Sequence, residues 1–246
     1  MRICFVLPGV ARQPVGGYKM AFEYANRLVK ENHEVLILYL NQDLLKNYSV
    51  PLVVKRKIAK ILTKIEPKWF DLNKKIKKIS NLDLDYKEKL GKLDVCIATS
   101  AEKTVEEVNK NLIAKTKLYL IQDYENWNIS DKELIATYKL GFKNIVVAKW
   151  LKQIVDQYSP TESVLIPNAI DTSIYTETVP IQNRDNHTIA LLYHESPHKG
   201  LKNAFKVLDK LKQKYPDLKV IMFGKFPKPE LPNLSLIHIS EPTRPY

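Results

Sequence analysis

Long apolar runs are missing from this chain. No stretch approaches the roughly 20 consecutive apolar residues of a spanning helix, so no transmembrane helix is expected. The apolar run at the N-terminus, Ile3-Cys4-Phe5-Val6-Leu7, is too short for a signal-peptide core, and a cytoplasmic protein is expected. The Asn-x-Ser/Thr triplets at Asn47, Asn128, Asn186 and Asn233 then carry no glycosylation meaning. Cysteine is scarce. Cys4 and Cys96 are the only two, and both lie in strand-like runs, which reads as buried free thiols rather than a disulfide. Glycine is scarce too, seven in 246 residues, and the first glycine-containing loop is not a G-x-G-x-x-G fingerprint. Acids fall short of bases, 27 against 39, for a net charge of +12. Such a balance implies an anionic partner: a nucleic acid, a membrane surface or a phosphorylated substrate.

What is present is ordinary globular material, 45% hydrophobic and 27% charged. Apolar runs at 2–7, 34–39, 94–98, 118–121, 144–148 and 163–166 do not alternate, as strands buried on both faces do not. Helical patterns at 17–31, 101–112 and 149–158 separate several of them. The fold class expected is α/β, with a parallel Rossmann-like sheet over residues 1–166. Residues 167–186, rich in Pro, Thr, Asn and Asp, read as a linker. The pattern restarts at 187–233 with a strand at 188–193, a helix at 201–214 and a strand at 218–223. That is the first β-α-β of a second Rossmann-like domain.

Three loops carry candidate chemistry. The first is Pro8-Gly9-Val10-Ala11-Arg12-Gln13-Pro14-Val15-Gly16-Gly17, which opens onto a helix N-terminus. Free amides and the helix dipole there favour an anion, and glycine lets it approach; a Gly pair before a helix is also plain turn chemistry. The second is Pro197-His198-Lys199-Gly200, beyond the carboxyl edge of the strand at 188–193, where ligands of open α/β sheets bind. Lys199 there can meet a diphosphate as a point charge, or be a solvated surface lysine. The third is Gln122-Asp123-Tyr124-Glu125-Asn126-Trp127, whose polar groups and aromatics can hydrogen-bond and stack a polar ring, or form an ordinary loop with a packed Trp.

Gly16-Gly17, the string Ile166-Pro167-Asn168-Ala169-Ile170-Asp171, and Lys199-Gly200 followed by Val220-Ile221-Met222-Phe223-Gly224 together resemble retaining glycosyltransferase family 4 over about residues 1–230. Ala169 stands where that family has a glycine. Gln122-Asp123-Tyr124-Glu125 is similar to a rhamnosyltransferase-like branch. The resemblance implies a GT-B fold with its active site between two domains, a nucleotide-sugar donor as co-substrate, no metal or other cofactor, and retention of configuration. It implies a glycan or polyprenol-linked acceptor. Gly16, Gly17, Lys199 and His194 would hold the donor diphosphate; His194 stands where the family has an arginine. Ser100, Gln122, Asp123 and Glu125 would face the acceptor. Thr99 and Ser100 occupy the place of a family histidine, and the family's Glu-x7-Glu pair lies beyond this chain, so no general base or nucleophile is assigned. The 246-residue chain is expected to have little or no transferase activity. The competing reading is a non-catalytic Rossmann-type domain that binds a nucleotide or phosphate at Gly16-Gly17.

Asp83-Leu84-Asp85 matches a metal-binding Asp-x-Asp motif, but it precedes a strand instead of following one and reads as chance. Residues 50–80 form a basic insert. Ten Lys/Arg between Pro51 and Lys78 face two acids, a surplus of eight. Val54, Ile58, Ile61, Leu62, Ile65, Trp69, Leu72, Ile76 and Ile79 recur at helical spacing, with Pro67 expected to divide them into two helices. The stripe can pack on its own domain, and residues 51–79 can also lie on an anionic membrane at its inner face. Charge interleaved with an apolar stripe, not with stacking aromatics, argues against a nucleic-acid partner. Leu234–Arg244 resembles a translated transposase-type sequencing adaptor, so residues 234–246 are expected to be non-native and the second domain cut short.

Overall fold

The computed structural model describes residues 1–224, 226 and 235–240. It divides into two compact units, Met1–Ala169 and a second that begins at Ile170.

The first unit is built on a parallel sheet of seven strands. These are β1 (Arg2–Leu7), β2 (Glu34–Tyr39), β3 (Lys77–Ser80), β4 (Leu93–Ala98), β5 (Ala114–Ile121), β6 (Lys143–Val146) and β7 (Val164–Leu165), in the order β3-β2-β1-β4-β5-β6-β7. Their helices are α1 (Gly16–Lys30), α2 (Leu52–Ile65), α3 (Tyr86–Leu90), α4 (Lys103–Lys110), α5 (Asp131–Tyr138) and α6 (Lys149–Asp156). Side chains alternate across a strand, so each strand feeds two cores. Cys4, Val6, Leu36 and Leu38 join one face with Val105 and Val108 of α4, Leu134 and Tyr138 of α5, and Leu151 and Val155 of α6. Ile3, Phe5, Leu7, Val35, Ile37 and Tyr39 join the other with Ala21, Phe22 and Ala25 of α1. Burial on both faces is why these strands read as unbroken apolar runs. Cys4 pairs in register with Cys96, and both are buried free thiols; the bond to Cys96 and burial push the Cys4 thiol well up.

The insert departs from expectation. One helix, α2, precedes Pro67; beyond it the chain turns and becomes edge strand β3 instead of a second helix. The reason is tertiary. Trp69 and Ile76 are drawn into the core beside Phe22, and the Trp69 indole N–H donates to the Ala11 carbonyl at 2.9 Å. The helical spacing of the stripe past Pro67 therefore served a turn and a strand.

The second unit holds β8 (Thr188–Leu192), α7 (Leu201–Lys214), β9 (Lys219–Gly224) and β10 (Ser235–Ser240), in a parallel sheet of order β10-β9-β8. Helix α7 packs Leu208 against Leu218, Val220 and Met222. A Cβ on Gly224 would lie 2.3 Å from the Tyr193 carbonyl oxygen, so only glycine lets these backbones approach. Of the segment 234–246, Ser235–Ser240 are seen as a strand, while 234 and 241–246 lie outside the described residues. Among the described residues no helix is long and apolar enough to cross a membrane.

Candidate functional site

The strand order of the first unit reverses at β1. The chain runs outward from β1 to β2 and β3, then returns to the other flank of β1 as β4. The loops that leave the carboxyl ends of β1 and β4 therefore diverge, and the crevice between them is where open α/β sheets bind ligands.

The wall on the β1 side is the loop from Pro8 to Val15, held by buried side chains. Gly9 donates its amide to the Tyr18 hydroxyl at 3.2 Å, and that hydroxyl donates back to the Gly9 carbonyl at 2.9 Å. Burial pushes the Tyr18 phenol up to about 12, so it stays a donor. Val10 donates its amide to Asn41 Oδ1 at 3.1 Å. The Asn41 amide group in turn donates to Ser80 Oγ at 3.0 Å and Thr63 Oγ1 at 3.2 Å, all three side chains buried. A buried polar network with each partner satisfied fixes one conformation. The loop ends at Val15, the extended N-cap of α1. No side chain caps that helix, and no acid stands in its first turn. The amides that open α1 therefore present partial positive charge.

The β4 side is tied just as closely. Thr99 Oγ1 donates to the Val6 carbonyl at 2.7 Å, and the Thr104 hydroxyl accepts from the amides of Thr99 and Ser100 at 3.0 and 2.8 Å. Two bonds then join the β5 loop to this crevice. The Gln122 side-chain amide donates to the Gly17 carbonyl at 3.2 Å. A Cβ on Gly17 would sit 3.1 Å from Gln122 Nε2, so glycine makes that approach ordinary. Glu125 Oε2 accepts from the Ala101 amide at 2.6 Å. Burial raises the Glu125 carboxyl to about 7, nearby Asp123 adds to the rise, and the Ala101 amide opposes it. Such a group changes charge in the neutral range, as acid–base residues do.

The structure thus gathers Gly16, Gly17, Ser100, Gln122 and Glu125 along one sheet edge. Asp123 lies in the same loop, where its Oδ1 accepts from the Tyr124 amide at 2.9 Å. His194 and Lys199 belong to the second unit, past the carboxyl end of β8. His194 Nδ1 accepts from the Ser196 amide at 3.0 Å, so a neutral ring carries its proton on Nε2. Lys199 is exposed, with no acidic partner among the described residues. Asp83 and Asp85 of the Asp-x-Asp match both pair with Lys89 at 2.9 Å. Among the described residues no cluster of three or more His, Cys, Asp or Glu is arranged to hold a metal. Asn41, Tyr18 and Thr104 went unread in the sequence. Their signal was position: Asn41 stands just past β2, and Tyr18 and Thr104 lie in the first turns of the helices that follow β1 and β4.

No family model matches the chain. No curated protein matches it by sequence. Solved structures do match. One is an alpha-glucosyltransferase in complex with UDP and a 13-mer DNA containing a HMU base, with a TM-score of 0.52 and 15% identity over 91% of this chain and 56% of that one. Another is an alpha-glucosyltransferase in complex with UDP-glucose and DNA containing an abasic site, with a TM-score of 0.52 and 18% identity over 91% and 57%. The chain spans little more than half the length of either. The likeness is one of fold: α/β, Rossmann-like, of the GT-B glycosyltransferase kind. It also corrects one expectation. The argument that excluded nucleic acid as a partner fails, because two solved structures of this fold hold DNA. Stacking aromatics inside a basic stretch are one route to nucleic acid, and phosphate contacts spread over a fold are another.

Proposed function

We propose that the chain serves glycosyl transfer from a nucleotide-sugar donor to an acceptor hydroxyl. The reading rests on one observation above the rest: a topological switch point whose walls carry an uncapped, glycine-lined helix N-terminus and a carboxyl tuned near neutrality. The fold neighbours bound to UDP and UDP-glucose support it. In the reaction the acceptor oxygen bonds to the anomeric carbon, the bond from that carbon to the diphosphate breaks, and the nucleoside diphosphate leaves with its electrons and takes up the acceptor hydroxyl's proton. The resemblance assigns the donor diphosphate to Lys199 and His194 of the second unit and to the amides at Gly16 and Gly17 of the first. Ser100, Gln122, Asp123 and Glu125 suit the acceptor side. The resemblance to retaining family 4 adds retention of configuration and no divalent ion. Calorimetric titration of the 246-residue chain with UDP and UDP-glucose tests the donor part. Saturable binding is expected, weakened about tenfold by Lys199→Ala, the size of one charge-assisted bond. No saturable binding of either nucleotide sinks the reading.

A second reading concerns location and rests on α2. Leu52, Val53, Val54, Ile61 and Ile65 are all exposed, 42–62% by residue, among Lys57, Lys60 and Lys64. Only Ala59 and Thr63 of this helix are buried. An apolar patch rimmed by lysine on a domain surface suits an anionic bilayer. Flotation with vesicles containing phosphatidylglycerol is expected to carry the chain upward at low salt, and Ile61→Asp with Ile65→Asp to abolish it. Vesicles that fail to bind while duplex DNA binds the same face would reassign the patch.

A further inference from the structure

Trp69, Trp127 and Trp150 are the only tryptophans in the chain, and they are used in two ways. Trp69 is 9% exposed and bonded into the core; Trp127 and Trp150 are 51% and 48% exposed. Tryptophan is highly buried on average, and half of a large indole in water is a cost a ligand can remove. Both exposed indoles belong to the carboxyl edge of the first unit's sheet. Trp127 is in the loop that leaves β5, and Trp150 is in the first turn of α6, which follows β6. Strands β5 and β6 are neighbours, paired in register from Leu118↔Lys143 to Ile121↔Val146.

The loop that carries Trp127 is braced before any ligand arrives. Asn126 Nδ2 donates to Asp131 Oδ1 at 2.9 Å. Ser130 and Glu133 form a reciprocal capping box at the start of α5, with Glu133 accepting from the Ser130 amide at 2.8 Å. A ring on a pre-set loop loses little freedom on binding. Charge selects the partner. From Gln122 to Glu133 there are four acids (Asp123, Glu125, Asp131 and Glu133) and one base, Lys132, in a chain of net charge +12. The hydroxyls of an uncharged sugar find acceptors in such carboxylates, and an apolar ring face finds indole.

We propose that Trp127 and Trp150 form a stacking platform for an uncharged oligosaccharide at the carboxyl edge of β5 and β6. Its role as the acceptor subsite rests on the glycosyl-transfer reading; binding itself does not. The chain supplies its own probe and control. In a 15N-labelled 246-residue chain the three indole N–H groups give three resonances. Titration with maltohexaose, cellohexaose and mannohexaose to about 10 mM, a range that reaches millimolar dissociation constants, is expected to move the Trp127 and Trp150 signals saturably with at least one of them. The Trp69 signal should stay still and report an intact core. Trp127→Ala and Trp150→Ala, each at a surface position, are expected to weaken that binding roughly tenfold while Trp69 keeps its position. Silence of both exposed indoles across the panel overturns the platform. So does a response to a thymidine oligonucleotide in place of the sugars, which would make the surface a nucleobase platform. A parallel UDP-glucose titration separates the two readings. Sugar binding without nucleotide binding would sink the transferase and leave the platform; nucleotide binding without sugar binding would sink the platform alone.

Discussion

Glu125 gathers the forces of the crevice into one titration. Its carboxyl moves upward, from an ordinary 4.5 to about 7. Burial disfavours its charge, Asp123 repels it, and the amide of Ala101 stabilises it but only in part. The same field pushes the buried phenols of Tyr119 and Tyr138 further up. Linkage turns this into a stability statement with a definite sign. Between about pH 4.5 and 7 the folded chain holds a proton on Glu125 that the unfolded chain has released. Stability from this group is therefore complete below the unfolded value and is lost as pH rises through about 7. The full shift corresponds to roughly 3 kcal/mol. Glu125→Gln keeps an acceptor for the Ala101 amide and removes the titration. Urea unfolding of both proteins from pH 4 to 8 is expected to show the variant gaining on the wild type by up to about that amount at the alkaline end. A difference that stays level across the range would mean that Glu125 is ionised and solvated in the folded state.

Elements whose physics is local were legible in the sequence; those set by distant partners were not. Strands β1 and β2 announced themselves through continuous apolar runs, because both of their faces are buried. Helix α7 could be placed with both ends, since its apolar face is a regular stripe and Pro216 follows it. Strand β3 was hidden in a stripe of helical spacing. Trp69 and Ile76 look like members of that stripe, yet the core beside Phe22 claims them, and tertiary packing overrides periodicity. Helix α5 was missed because only Leu134 and Tyr138 of its eight residues are buried, too few to draw a stripe. Its capping box, Ser130 with Glu133, was the readable sign. The site divides the same way. The loops at strand ends could be named from sequence, since topology puts ligands there. Their ties could not: Gln122 meets Gly17 across 105 residues, and Asn41 meets Val10 across 31. Nor does composition report that Lys89 occupies Asp83 and Asp85.

At the scale of the whole molecule the two units are unequal in what holds them. The first has a core on each face of seven strands. Among the described residues of the second, Leu208, Leu218, Val220 and Met222 are buried, with α7 packed over β8 and β9. Each such burial is worth about 1.5–3 kcal/mol, set against the entropy of ordering the chain. Phe223 and Leu192, on strands β9 and β8, are 39% and 43% exposed, and Val207 of α7 is 55% exposed, so much apolar surface there contributes nothing. The sequence provides a way to watch the units apart. All three tryptophans lie in the first unit, while α7 and three strands of the second contribute only to backbone signals. Urea titration is expected to give two midpoints: far-UV circular dichroism should begin to fall at a concentration where tryptophan fluorescence is still native. Saturating UDP-glucose, if Lys199 and His194 hold the diphosphate, should raise the first midpoint and bring it toward the second by mass action. Coincident transitions without ligand would show that the second unit draws its stability from the first. Two midpoints that ignore the nucleotide would take the diphosphate away from Lys199 and His194.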